Sequence, residues 1–462
     1  MITAPDPQPE PGAVLPPGLL LAVYGDDFTG SAAVMEVLTF AGLPTALFLG
    51  PPTAAQRGRF DGLRAIVMAG SARAQSPDWM DDHLPAVFDS LADLDAPMVH
   101  YKICSTVNSS PATGSIGRAI EIALLRFGTP VVPVLVAAPP LRRYQCFGHL
   151  FASAPGGVFR IDRHPVMAHH PVTPMRESDV VAHLSAQTML PVGLVNLEQL
   201  ALAPQEVARA VAQGTRILCL DTIDAEHLAL CGRLLWDQRG PHGLCVGSQG
   251  IEYALVAYWR SAGLLPDAPP LPRLGPTRGM AVVSGSLSSI TAEQIAWAVE
   301  HGFTEIPVNA AALLSGDTAA EDAALDVAMQ ALADGQIPIV STSGTVMTGN
   351  PEPSGLPGGH ALIGSALIGS ALGRILRRII MQAGLRRAVI AGGDTSSFAT
   401  AELGIFALTA TAPTVPGAAI CTAHADIPQI DGVELALKGG QMGTVDYFGQ
   451  VRNGGTEPRT TT

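Results

Sequence analysis

Short apolar runs, each closed by glycine, serine or an acidic residue and followed by a longer stretch of mixed polarity, recur along most of the chain. The clearest is Leu19–Gly25, Leu-Leu-Leu-Ala-Val-Tyr-Gly. It is followed by Asp26-Asp27-Phe28-Thr29-Gly30-Ser31 and then by Ala32–Leu38, which reads as helix. Runs of this length are buried strands, and their alternation with helices predicts a mostly parallel sheet. Further strands are predicted at Leu43–Leu49, Ala65–Ala69, Met98–Ile103, Val131–Ala137, Val192–Val195, Arg216–Leu220 and Leu244–Gly247. Helices are predicted at Pro77–Leu94, with proline suited to its first turn, at Gly114–Phe127, at Glu177–Gln187 and up to Trp259. Gly148–Met175, polar and rich in proline and histidine, breaks the rhythm and reads as a long functional loop.

The rhythm stops again at Arg260–Arg278, whose Gly263, Pro266, Pro269, Pro270, Pro272, Gly275 and Pro276 mark a linker. A second α/β unit starts at Met280, with strands expected at Ala281–Ser284, Phe303–Val308, Ile337–Ser341 and Ala388–Ala391. Ala361–Ala371 repeats Ala-Leu-Ile-Gly-Ser and reads as a small-residue helix. A chain of 462 residues is long for one core. The expected organisation is α/β, with two domains of mostly parallel sheets flanked by helices and an active site in the cleft between them. The boundaries are a disordered tail 1–17, an N-terminal domain 18–262, a linker 263–278, a C-terminal domain 279–452 and a tail 453–462.

Composition narrows the function. The chain is 47% hydrophobic and 15% charged, with a mean hydropathy of +0.30, which excludes disorder for most of it. A net charge of −13 argues against a nucleic-acid partner, and an anionic ligand needs a local basic pocket. The six cysteines are scattered without a C-x-x-C pair, which suggests neither a zinc site nor a disulfide framework and fits a reduced, cytoplasmic setting. The proline-rich N-terminus lacks the basic start of a signal peptide, and no apolar run reaches membrane-spanning length, so no membrane partner is expected.

In a parallel sheet, Asp26 and Asp27 fall at the carboxyl end of a strand, where ligands bind, beside a helix N-terminus. Adjacent carboxylates repel and need a partner such as a metal, a lysine or a substrate hydroxyl; the plainer alternative is that one of them caps the helix. A D-x-D-x-T phosphatase motif ending at Thr29 fails, because its nucleophile would fall on Gly25. Lys102, Ser105 and Thr106 end another strand and suit a carboxylate or phosphate, or else a solvated lysine and a capping hydroxyl. Arg142 and Arg143 could clamp an acid. His169 and His170, near His149 and His164, lack regular metal-ligand spacing and suit hydrogen bonding to a substrate better.

In the second half, Arg387–Thr395 is a strand followed by Gly392-Gly393 and a helix, a turn that either cradles phosphate or packs tightly. Ser284-Gly285-Ser286 and Lys438-Gly439-Gly440 add two more such turns. None is a P-loop, and no G-x-G-x-x-G opens the fold.

Taken in order, Asp26-Asp27-Phe28-Thr29-Gly30, Tyr101–Thr106, His169–Met175, Ser284-Gly285-Ser286, Gly392–Ser396 and Leu437–Gly440 resemble the four-carbon acid sugar kinase family over nearly the whole chain. The resemblance implies an N-terminal domain that binds the acid sugar and a C-terminal domain that binds ATP. It also implies phosphorylation of a tetronate or 3-oxo-tetronate, usually on the terminal hydroxyl. Under it, Asp26, Asp27, Thr29, Lys102, Ser105, Thr106, Arg142, His169 and His170 bind the acid, and Asp27, with Asp26 beside it, is the candidate base. Ser284, Ser286, Gly392, Gly393, Asp394, Thr395, Lys438 and Gly440 hold the nucleotide, with Mg²⁺ at Asp394. The family's glutamate and second glycine after Gly-Gly are here Asp394 and Ser397, and its Lys-x-Gly-Asn-Phe-Gly is here Lys438–Gly443. Closure of the two domains about Arg260–Arg278 is expected, and a homodimer is left open. The alternative is a non-catalytic nucleotide- or sugar-acid-binding regulatory protein on the same fold; a dehydrogenase would require a nicotinamide site that nothing here suggests.

Overall fold

Two units emerge from the packing of the chain, residues 1–45 with 58–269 and residues 46–57 with 270–462. This computed structural model describes residues 14–170, 172–342 and 359–456, without the side chains of 359–363 and Asp394. The strands in chain order are β1 Leu21–Gly25, β2 Thr45–Phe48, β3 Ala65–Ala69, β4 Met98–Lys102, β5 Val132–Leu135, β6 Arg143–Cys146, β7 His149–Ala154, β8 Gly157–Arg160, β9 Val192–Val195, β10 Ile217–Leu220, β11 Gly243–Gly247, β12 Met280–Ser284, β13 Phe303–Pro307, β14 Ile337–Ser341, β15 Arg387–Ala391, β16 Ile405–Ala412, β17 Ile420–Ala425 and β18 Glu434–Lys438.

In the first unit the sheet runs β3-β1-β4-β11-β5-β10-β9, parallel throughout. Residues of β1, β4, β10 and β11 are buried along their whole length. That is why they read as unbroken apolar runs and not as alternating ones. Chain order reverses at β1, which lies between β3 and β4. Such a switch point opens a crevice beyond the carboxyl ends, and the segment that enters it is Asp26-Asp27.

Gly148–Met175 is not a plain loop. β7 and β8 within it pair with β6 as an antiparallel ribbon, with Ala154-Pro155-Gly156-Gly157 as one of its turns. Short strands that alternate half-buried with buried positions, as His149–Ala154 does, carry a weak periodic signal that prolines and histidines obscure. The predicted helix at 177–187 shrinks to Val180–Ser185, because Asp179 takes the cap by accepting from the Val181 and Ala182 N–H groups.

In the second unit β13-β14-β12-β15-β18 are parallel. β17 and β16 continue the sheet antiparallel, and β2, from the N-terminal part of the chain, pairs antiparallel with β16. Here the switch point is β12, between β14 and β15. The small-residue repeat lies in the helix Gly359–Ala383, far longer than the repeat itself. A core of Met280, Val282, Ile295, Phe303, Ile339, Val389, Ile420, Tyr447 and Phe448 fixes the sheet against its helices. No helix among the described residues is long and apolar enough to cross a membrane.

Candidate active site

At the first switch point an arginine that the sequence reading passed over decides the electrostatics. The Arg73 Nη2 donates to Asp26 Oδ1 at 2.8 Å and to Asp27 Oδ1 at 2.6 Å. Its backbone N–H donates to the Asp26 carbonyl at 3.0 Å. Arg73 follows β3, the neighbour of β1, so the first cation beyond that strand was the signal to look for. Asp26 is nearly sealed, at 5% side-chain exposure, while Asp27 is at 25%. Burial and the adjacent Asp27 charge push the Asp26 carboxyl up, against the pull of Arg73 and Lys102. Burial alone would lower Arg73, but the two carboxylates hold it well above the usual arginine range.

The helix cap falls on Asp27, whose Oδ1 accepts the Gly30 N–H at 3.0 Å. Its Oδ2 has no partner among the described residues. Lys102 is buried at the end of β4, and the Asp26 N–H donates to its carbonyl at 2.9 Å. Gly30 makes this cluster fit: a side chain there would start 2.4 Å from both Lys102 Nζ and Asp27 Oδ1. Two anions and two cations are thus packed at one strand edge, a balanced set with one carboxylate oxygen left open.

Around this set lies the turn after β4. The Thr106 hydroxyl hydrogen-bonds the Asn108 side chain and lies 3.0 Å from Cys104 Sγ, whereas Ser105 is half-buried. Val107 is held at φ 45°, a conformation that a β-branched residue rarely adopts. Ser109 secures it by donating to the Val107 carbonyl at 2.9 Å and is itself tied to His183 and Gln187.

Of the two adjacent arginines, Arg142 is exposed in a left-handed turn and Arg143 is the inward one. The Arg143 Nη1 bonds Ser153, while its Nε is buried without an acceptor among the described residues. Burial lowers its pKa, with the nearby Cys104 opposing; the same Cys104 acts on Arg73. The sequence expectation for Arg142 therefore moves one residue on. Burial, then the charge of Arg73, lower His170, which places it beside the cluster; the Thr173 N–H donates to its Nδ1 at 3.1 Å. His169 is exposed, Thr29 is half-buried in the first helical turn, and Pro171 lies outside the described residues.

Beyond the carboxyl ends of β12, β15 and β18 the three glycine turns of the second unit meet. A side chain on Gly285 would start 2.4 Å from Thr395 Oγ1, one on Gly392 2.7 Å from the same oxygen, and one on Gly440 2.6 Å from Ser286 Oγ. Gly392 also has φ 125°. Gly393, by contrast, faces open space. Two hydroxyls here, Ser284 Oγ and Ser288 Oγ, are buried without a hydrogen-bond partner among the described residues. Lys438 donates to Thr291 Oγ1 at 2.9 Å and to the Gly439 carbonyl at 3.2 Å, and burial pulls it down to about 8. Thr291 in turn donates to the Gly440 carbonyl, and Gln294 holds the carbonyls of Met442 and Thr444. Both are helix residues that sequence reading did not single out, because their signal lies in tertiary contacts alone. The Asp394 side chain lies outside the described residues.

Residues 21–255 match the family model of a sugar-binding N-terminal domain, and residues 281–448 match that of a nucleotide-binding C-terminal domain. The chain belongs to the four-carbon acid sugar kinase family. It is 44% identical to a 3-oxo-isoapionate kinase of Paraburkholderia graminis, with 95% of each chain covered. It is 29% identical to a 3-oxo-tetronate kinase of Pseudomonas fluorescens over 94% of this chain and 96% of that one. A crystal structure of a Salmonella typhimurium LT2 protein, described as a tRNA synthase, superposes with a TM-score of 0.74 at 26% identity, covering 94% of this chain and 98% of that one. A Haemophilus influenzae protein, at 23% identity and a TM-score of 0.69, shares the fold. The protein is therefore a kinase that uses ATP, and the comparisons give no support to a non-catalytic regulator.

The two glycines of the β15 turn meet different surroundings, Thr395 at Gly392 and open space at Gly393. Gly392→Ala will cost about 2 kcal/mol of stability, because it combines a left-handed φ with a collision on Thr395. Gly393→Ala will leave the denaturant midpoint unchanged and raise the KM for ATP. Equal midpoints for the two variants would refute this division.

Proposed function

We propose that this kinase transfers the γ-phosphoryl group of ATP to the terminal hydroxyl of a short 3-oxo sugar acid. The observation that carries the reading is the Asp26–Arg73–Asp27–Lys102 cluster at the first switch point, with one oxygen of Asp27 unengaged. Asp27 Oδ2 is placed to accept the proton of the attacking hydroxyl. Lys102, Ser105, Thr106 and Arg143, with its unpaired Nε, grip the carboxylate. Asp26, Thr29 and His170 bind the remaining oxygens, and Arg73 bridges the paired aspartates.

The nucleotide phosphates rest on Ser284, Ser286, Gly392, Gly393, Thr395, Lys438 and Gly440. Phosphoryl transfer asks the protein for positioning and charge neutralisation above all, and small residues plus a buried lysine supply both. Mg²⁺ supplies further neutralisation when it arrives with the phosphates. The orphaned hydroxyls of Ser284 and Ser288 fit a phosphate-bound ion, and Asp394 is the candidate carboxylate. Among the described residues no cluster of three or more His, Cys, Asp or Glu could hold a metal ion. A cytoplasmic location completes the reading.

ADP release measured with 3-oxo-isoapionate, 3-oxo-tetronates and unoxidised tetronates tests the substrate class. The greater identity to the isoapionate kinase makes 3-oxo-isoapionate the preferred acceptor. Equal rates with and without any acid would sink the proposal.

Lys438 adds a pH signature. The phosphate-binding form is the ammonium, so kcat/KM for ATP will fall as pH rises through about 8. Unliganded stability moves the other way. With the folded pKa depressed, the unfolded chain binds more protons between about 8 and 10.5, so this lysine's contribution to stability rises with pH across that window. Lys438→Met will remove both trends; their persistence would assign them to other groups.

A further inference from the structure

The opposite edge of the second unit's sheet holds a groove with no role in the chemistry above. Its volume is about 600 Å³, and Pro276, Thr277, Arg278, His301, Gly302, Gly335, Ile337, Arg452 and Asn453 line it. Thr277 and Arg278 precede β12, Gly302 precedes β13 and Gly335 precedes β14, so the groove lies at the amino ends of these parallel strands, away from the carboxyl end of β12 that carries the Ser284–Ser286 turn. A strand of this length separates the two edges by about 15 Å.

No carboxylate lines this groove, although the chain as a whole carries a charge of −13. Among the described residues neither Arg278 nor Arg452 has a carboxylate partner, unlike Arg374, Arg378 and Arg387 of the same unit. Arg452 spends one donor on the His301 carbonyl at 2.7 Å, and its guanidinium lies 5.4 Å from the Phe303 ring centroid. That anchors the group while leaving most of its donors unused. The His301 ring stacks on Trp297 at 3.8 Å and donates from Nδ1 to the Trp297 carbonyl at 2.6 Å, which fixes the ring as a wall of the groove. The carbonyls that could repel an anion are engaged: His301 O accepts from Arg452 and Gly302 O accepts from Ile337 N. The nearest acidic side chains in sequence are Glu300, exposed at the end of its helix, and Asp334, which accepts from Gln330 on its own helix.

We propose that this groove is a second anion site, built for the phosphoryl group of a small molecule and separate from the nucleotide turns. Two guanidiniums around one open volume match a phosphate dianion. The ligand is either free phosphate or a phosphate ester, and the two are distinguished by titrating inorganic phosphate and glycerol 3-phosphate in parallel.

The experiment is calorimetric titration of each probe into the full chain saturated with Mg-ADP, so that the nucleotide turns are already filled. Saturable binding is expected, weakened about tenfold or more by Arg278→Glu and by Arg452→Gln. Melting temperatures without probe confirm that both variants fold. Tighter binding of the ester assigns the site to phosphorylated metabolites, and equal affinity assigns it to the phosphoryl group alone. No saturable binding overturns the proposal. So does binding that survives both groove variants but disappears in Lys438→Met, since the anion would then sit at the nucleotide turns. The readout is binding and not turnover, so it stands or falls independently of the substrate reading.

Discussion

Asp27→Asn will lower kcat by about 10²–10⁴ while leaving the fold intact, the range expected for loss of a general base. Asparagine caps helices as well as aspartate does, so the Gly30 N–H keeps its acceptor and the melting temperature will stay within a few degrees of the parent. What disappears is the anionic oxygen that takes the hydroxyl proton. With Asp27 proposed at the reacting hydroxyl and away from the nucleotide, the KM for ATP will hold. Steady-state ADP release on Asp27→Asn and Asp26→Asn separates the neighbours. A larger kcat loss in the Asp26 variant would hand the role of base to the more buried carboxylate.

The second large effect belongs to Arg73. Arg73→Ala leaves Asp26, almost fully buried, beside Asp27 with Lys102 as the only remaining cation of the set. Breaking a buried ion pair from one side costs about 3–5 kcal/mol, and the partial exposure of Arg73 places this loss near 3 kcal/mol. In a chain of this size that is a melting-temperature drop of roughly 3 °C. The loss has a pH signature of known sign. Without Arg73 the Asp26 pKa climbs further, so the deficit is fully present at neutral pH and shrinks as pH falls and the carboxyl pair takes up a proton. Arg73→Lys keeps the charge but cannot bond both carboxylates in the same planar geometry, and it will recover part of the stability. A pH-independent deficit in Arg73→Ala, measured by thermal denaturation between pH 5 and 8, would show that packing and not charge pairing is what was lost.

The strands of both parallel sheets were legible because full burial erases alternation, leaving apolar runs bounded by glycine or acid. β3, β9 and β14 fall on the residues read from pattern alone. The antiparallel strands were not. β16 alternates buried and half-buried positions within an alanine- and threonine-rich stretch whose composition suits turn, helix or strand alike. β2 was read as a strand, but its pairing with β16 is a contact between residues some 360 apart that no local signal announces.

At the site, the residues that carry charge on motifs were legible: Asp26, Asp27, Lys102 and Lys438 each end a strand or follow one. Arg73, Thr291 and Gln294 were missed because their signal comes from strand order and helix packing, and of the paired Arg142 and Arg143 the sequence does not say which turns inward. Once β3 is known to neighbour β1, Arg73 becomes the obvious counter-charge. Asp26 illustrates the same limit from the other side. Its neighbour took the helix cap, and nothing in the sequence says which of two adjacent aspartates turns inward.

The most direct test of the whole account is ³¹P NMR of the protein incubated with Mg-ATP and 3-oxo-isoapionate. The account predicts a phosphomonoester resonance, split by the protons of a terminal CH₂, growing in equal amount with ADP and absent with Asp27→Asn. ADP accompanied only by inorganic phosphate, or an ester formed equally well by Asp27→Asn, would contradict it.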